Sequence, residues 1–231
     1  MKNLIISFSS FVIPRDPLKY RMEEYAICYE QLKRIVPSNF EILFVDNTIK
    51  SEEEITNNRL SKALENCSRL FYNNNIGLEN KGIGELQMLL AAQNTLNFSS
   101  YKNIIYLTGR RFITCPYVFN RAEKCELEIL VGNQPIFNPF NGLQYPSGVD
   151  MFGDMFFSMS SSKMLEYCLY VNGVLSKQRP INIGSEQILY SFIKNNNYKY
   201  EEIRHLGFIR NDWEMVNPST YSRRVENFQV I

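Results

Sequence analysis

Arg110 and Arg111 are adjacent within the stretch Tyr101 to Thr114, YKNIIYLTGRRFIT, directly after an apolar run and a Thr108-Gly109 pair. A guanidinium presents a planar fork of N–H donors that fits the oxygens of a phosphate or carboxylate, so two in sequence suit a phosphorylated ligand. On spacing alone they also suit surface charges past a strand end. Lys81 adjoins a second element of the same chemistry, the glycine-containing segment NKGIGELQMLLAAQNTL, which opens a helix near Gly82. Backbone N–H groups at a helix entry are free to face an anion. That segment is neither a Walker loop nor GxGxxG, and a plain loop leading into a packed helix reads equally well.

These residues need strands to carry them. NLIISF at residues 3–8 reads as a first buried strand, and EILFV at 41–45 as a second that ends in Asp46-Asn47-Thr48. Between them Pro17 opens a helix in which Met22, Tyr25, Ala26, Tyr29, Leu32 and Val36 keep the 3/4 spacing of one buried face. Strand, helix, strand with a right-handed crossover makes the two strands parallel. Residues 50–66 are charged and compatible with a helix. A third strand is expected from Arg69 to Tyr72, before Asn73-Asn74-Asn75, and a fourth from Asn103 to Leu107. Polar residues then follow three parallel strands on one side, where open α/β sheets bind ligands. Further on, CELEILV (125–131) and Met155 to Met159 read as strands. Ser160 to Ser162 cap a helix through Tyr170, and Ser185 caps another in which Ile188, Leu189, Phe192 and Ile193 face inward. HLGFIRNDW gives a terminal strand. Residues 132–150, with three Pro, three Gly and three Asn, form a long loop of the kind that usually carries function. The expected fold is α/β, a single domain with a mostly parallel, Rossmann-like sheet flanked by helices.

Composition narrows the function. The 231 residues carry 25 basic and 24 acidic side chains, a net charge of +1, which gives no electrostatic footprint for nucleic acid. The 5 cysteines are scattered without a CxxC pair, as expected of reduced thiols in a cytoplasmic protein. One histidine, His205, argues against a His-based metal site or a Ser-His-Asp triad. No apolar run approaches the ~20 residues of a transmembrane helix, and the apolar run at the N-terminus is too short for a signal peptide.

The order of NLIISF, ILFVDNT, FYNNNIGLENKGIGELQMLLAA, IIYLTGRRFI, MFGDMFFSMSSSKM, GSEQILYSFI and HLGF resembles the GT-A-like glycosyltransferases of bacterial or viral surface-polysaccharide synthesis that lack an obvious Asp-x-Asp. The resemblance implies transfer of a sugar from a nucleotide-sugar donor to a glycan acceptor. It makes residues 1–115 the donor-binding half and 116–231 the acceptor half. It places Asp46 near the base or ribose and Asn74, Lys81 and Gly82 close to the donor. Thr108, Gly109 and Arg110 fall where a metal-binding Asp-x-Asp normally follows the fourth strand. Relatives often carry Lys two residues before that Thr; this chain has Tyr106. Glu186 would face the acceptor.

Such a transfer needs the leaving diphosphate neutralised, by a divalent cation (Mn or Mg) or by cationic side chains, and, if it inverts, a base for the acceptor hydroxyl. Arg110, Arg111 and Lys81 are the candidates for the first task, and no metal ligand is assigned. Glu186, Asp154, Asp150 and His205 compete for the second, Glu186 ahead on position. Glu186 also reads as a helix-start carboxylate favoured by the macrodipole, and Asp212 and Trp213 as a stacking site for a sugar or plain core. Two other readings stay open. A sugar-phosphate nucleotidyltransferase shares the crevice but normally shows glycines right after the first strand, where this chain has SFSSFVIPRD. A non-catalytic nucleotide- or glycan-binding module would need no base at all.

Overall fold

Alternation within the apolar runs builds a sheet buried on both faces. The computed structural model describes residues 1–12, 18–55, 58–74, 80–132, 156–177, 184–203, 206 and 208–210. β1 (Lys2–Ser9) leads through α1 (Leu18–Ile35) to β2 (Phe40–Asp46). A 3-10 turn (Glu52–Glu54) and the short α2 (Asn58–Leu64) precede β3 (Ser68–Phe71). α3 (Lys81–Thr95) leads to β4 (Tyr101–Thr108), β5 (Arg111–Ile113), α4 (Tyr117–Lys124) and β6 (Ile129–Gly132). Then come β7 (Phe156–Ser160), α5 (Ser161–Lys177), α6 (Ser185–Asn195), β8 (Glu201–Ile203) and β9 (Phe208–Arg210).

Seven strands form one sheet in the order β3-β2-β1-β4-β7-β6-β8, while β5 and β9 pair separately. β1 is parallel to β2 and to β4, with Ile5 opposite Ile42 on one side and Ile105 on the other. β7 runs antiparallel to both of its neighbours, and the other pairings in this sheet are parallel. This is the mostly parallel, single-domain α/β architecture expected from the sequence.

Successive strand residues point to opposite faces. Leu4, Ile6, Phe8, Ile104, Tyr106, Val131 and Phe157 therefore pack on one side against Leu86 and Leu89 of α3, Tyr167 of α5 and Phe192 of α6. Ile5, Phe44, Ile105, Leu107, Leu130 and Phe156 pack on the other, against Met22, Tyr25 and Tyr29 of α1, Leu60 of α2 and Phe119 of α4. A strand with apolar residues on both faces has to lie between two helical layers, and the near-continuous apolar runs of β1 and β4 reflect that.

Several boundaries differ from the sequence reading. The charged stretch 50–66 breaks into the 3-10 turn and α2 instead of one helix. CELEILV contributes only its last residues to β6, because Glu126, Leu127 and Glu128 are exposed and pairing starts where both faces become buried. α5 continues past Tyr170 to Lys177, with Val171 in the core and Val174 and Leu175 packed against it. Its first turn is capped as expected from the serines, the Lys163 N–H donating to Ser160 Oγ at 3.3 Å. α6 is capped by Gly184 in place of Ser185. The Gly184 N–H donates to Gln187 Oε1 at 3.2 Å, which leaves the Ser185 hydroxyl for other partners.

Candidate functional site

The chain leaves β1 toward β2 on one side, while β4 takes the other. That reversal of strand order opens a crevice at the carboxyl ends of β1 and β4. Phe8, Ser9 and Ser10 line it from β1 and the residue after it, and Thr108, Arg110 and Arg111 from β4, the turn after it and the start of β5. Arg21 and Tyr25 come from α1, and Lys81, Glu85 and Met88 from α3. The crevice opens to solvent.

Its cations are held by the protein. Arg21 is buried, donates through Nε to the Ser10 carbonyl, and lies with its guanidinium 5.7 Å from the centre of the Tyr25 ring. The Ser10 N–H in turn donates to the Tyr25 hydroxyl oxygen at 3.0 Å. Burial pushes the Tyr25 phenol above its usual pKa, so it stays protonated. Arg110 donates to Glu24 at 3.4 Å, and Lys81 lies 3.3 Å from Glu85. Gly109 makes the turn possible. Its N–H donates to the Phe8 carbonyl at 2.8 Å, and a Cβ there would stand 2.8 Å from both that oxygen and the Tyr29 hydroxyl.

Glu85 is the residue the sequence reading missed. It is 5% exposed. Its Oε2 accepts from the Tyr106 hydroxyl at 2.8 Å and from Ser185 Oγ at 3.3 Å, and the same Oγ lies 3.3 Å from Glu186 Oε2. The one available signal was a carboxylate next to Leu86 and one helical turn from Leu89 on an inward stripe, where an unpaired charge does not belong. Arg21, Glu24 and Tyr25 were missed too, since Tyr25 counted only as part of an apolar face.

Four of the expected donor-binding residues meet in the crevice: Lys81, Thr108, Arg110 and Arg111. Glu186 adjoins it through Ser185. The others serve nearby. Asn74 donates to the side chain of Gln87 on α3. At Gly82 a Cβ would stand 2.8 Å from the Ser185 nitrogen, so this glycine lets the first turns of α3 and α6 meet. Asp154, His205, Asp150, Asp212 and Trp213 lie outside the described residues.

Asp46, fully buried, brackets two loops. Its Oδ1 accepts from the Thr48 N–H and hydroxyl, both at 2.7 Å, and from the Ile49 N–H at 3.1 Å. Its Oδ2 accepts from the Phe11 N–H at 2.7 Å. The carboxylate thus fastens the loop after β1 to the loop after β2, with no surface left for a ligand. Burial, outweighing these bonds, raises its pKa above 3.8. The folded state then holds this proton more tightly than the unfolded chain, so its contribution to stability falls as pH rises through the window that starts near 3.8. In Asp46→Asn the amide would turn a donor toward the Phe11 N–H. The variant should lose about 1–3 kcal/mol at pH 7 and show a flatter pH dependence in urea denaturation between pH 4 and 7. Parental stability at pH 7 would mean that the loops do not depend on this bracket.

The described residues of the crevice do not suit a divalent cation. Such an ion needs several oxygen ligands. The position of an Asp-x-Asp holds Thr108, Gly109 and Arg110, and Glu24 and Glu85 already pair with Arg110 and Lys81. No group of three His, Cys, Asp or Glu side chains gathers among the described residues. Three guanidiniums and an ammonium make a donor set for an anion.

The fold is shared with solved structures of transferases, among them the nucleotide-diphospho-sugar class. A protein assigned to that class, from Desulfovibrio desulfuricans G20, superposes with a TM-score of 0.57 at 6% identity, over 98% of this chain and 96% of the other. The 4-diphosphocytidyl-2C-methyl-D-erythritol synthase of Anaerococcus prevotii DSM 20548 does so with a TM-score of 0.59 at 9% identity, over 97% and 96%. Mouse xyloside xylosyltransferase 1 follows with 0.52 at 12% identity, over 88% and 85%. No protein-family model matches the chain, nor does the sequence of any curated protein. At these identities the likeness defines the architecture.

Proposed function

We propose that the protein is a glycosyltransferase that moves a sugar from a nucleotide-sugar donor to a hydroxyl of a glycan acceptor, in the synthesis of a surface polysaccharide. The observation that carries this reading is the convergence of Arg21, Lys81, Arg110 and Arg111 on the crevice between β1 and β4. A leaving diphosphate develops charge there, and preorganised cations stabilise it without a divalent metal. Residues 1–115 supply this donor seat. Residues 116–231 supply Glu186, the base that takes the acceptor's proton.

A sugar-phosphate nucleotidyltransferase is the second reading, favoured by the cytidylyl-type synthase among the structural neighbours. It would bind a nucleoside triphosphate, yet the loop after β1 begins Ser10, Phe11, Val12, without glycine to bring backbone N–H groups onto a triphosphate.

A thermal-shift panel of nucleoside diphosphates, triphosphates and nucleotide-sugars, each with manganese and with a chelator, separates these. A ligand at 100 times its Kd adds about 2.7 kcal/mol, which for a chain this size is roughly 5–10 °C. We expect a shift with one nucleotide-sugar that survives the chelator. A shift that needs manganese would overturn the cationic seat. A shift confined to triphosphates would favour the nucleotidyltransferase, and none at all a non-catalytic module.

A further inference from the structure

The crevice carries different chemistry on its two sides. Arg21, Arg110 and Arg111 come from α1, the turn after β4 and the start of β5, whereas Lys81 and Glu85 come from α3, with Ser185 of α6 behind Glu85. A carboxylate facing an anion seat repels the anion, and burying it costs free energy besides. Glu85 is nevertheless held in one place by Tyr106 and Ser185 on Oε2 and by Lys81 on Oε1. An ionised carboxylate offers about four acceptor positions. The described residues donate two hydrogen bonds, both to Oε2, while Oε1 faces the Lys81 ammonium as an ion pair and keeps acceptor capacity. What such a group recognises is a hydroxyl, and a nucleotide-sugar brings hydroxyls next to its diphosphate.

Resting on the nucleotide-sugar reading of the crevice, we propose that Glu85 determines sugar specificity, accepting a hydrogen bond from a ring hydroxyl of the donor's sugar while the guanidinium side holds the diphosphate. Tyr106 and Ser185 act through Glu85 as positioning residues. Their hydroxyls fix the carboxylate's rotation, and Tyr106 is itself clamped between Phe8 and Phe157, whose ring centres lie 4.4 and 4.6 Å away.

The test is calorimetric titration of the full chain with three matched pairs: UDP and UDP-glucose, UDP and UDP-N-acetylglucosamine, GDP and GDP-mannose. The parent should bind one sugar form more tightly than its bare diphosphate. Glu85→Gln, which keeps the shape and the Tyr106 and Ser185 bonds, should narrow that preference roughly 10- to 100-fold. The same variant should leave the bare diphosphate unchanged or bound more tightly, since a nearby negative charge is gone. Tyr106→Phe and Ser185→Ala, which leave Glu85 ionised but less fixed, should narrow the preference by less and serve if Glu85→Gln does not fold. Equal weakening of the diphosphate and its sugar form, or an unchanged preference, overturns the role of Glu85 alone. So does a parent that binds the diphosphates and prefers no sugar form. A parent that binds neither member of any pair overturns the nucleotide-sugar reading and this inference with it.

Discussion

Arg110→Ala should bind its nucleoside diphosphate roughly 10- to 100-fold more weakly than the parent, the loss of one charge-assisted contact to phosphate. It should also unfold more easily, because Arg110 is a partner of Glu24, whose side chain is 5% exposed. Removing one member of a wholly buried pair costs about 3–5 kcal/mol. Arg110 is 19% exposed, so we expect about 1–3 kcal/mol by denaturation. The two effects separate in a double variant. Adding Glu24→Gln to Arg110→Ala neutralises the buried carboxylate that lost this partner, and should recover most of the stability and none of the affinity. If Arg110→Ala destabilises the fold and leaves diphosphate affinity intact, Arg110 is a structural partner of Glu24 and does not hold the ligand.

Glu186→Gln should bind donor as the parent does and lose transfer, with kcat down by roughly 100- to 10,000-fold, the usual worth of a general base. The alkaline plateau of kcat/KM against pH should disappear with it. Gln keeps a hydrogen-bonding oxygen for Ser185, so donor affinity and melting temperature report whether the local structure survives. A variant that turns over at the parental rate would move the base to Asp154 or His205.

The elements were legible because burial on both sheet faces leaves near-continuous apolar runs, as in β1 and β4, and one-sided burial leaves the 3/4 stripe of α1. Arg110 and Arg111 were legible because their place depends only on where β4 ends. The carboxylate side of the crevice was not. Glu85 meets Tyr106 and Ser185, residues 21 and 100 positions away, and no local pattern announces such a meeting. Asp46 shows the converse. Its place at the end of β2 was readable, but whether a strand-end carboxylate faces a ligand or a neighbouring loop depends on how residues 10–12 fold back. Gly82 reads as a phosphate-type glycine from sequence, and its close approach to Ser185 appears only when α6 is in position.

The pairing of β1 with β4 sets an order of assembly. Ile5 pairs with Ile42 through a nearby crossover, but with Ile105 only after ~100 residues of intervening chain have been synthesised. Contacts this distant in sequence form slowly, because loop closure comes before any gain from pairing. During synthesis β1 is therefore the edge of a partial β3-β2-β1 sheet, offering unpaired N–H and C=O groups along an apolar strand. Until β4 closes that edge the nascent chain is prone to stick to other copies, and the same closure brings Arg110 and Arg111 to the crevice. Solubility of the growing chain and assembly of its anion seat thus depend on one event.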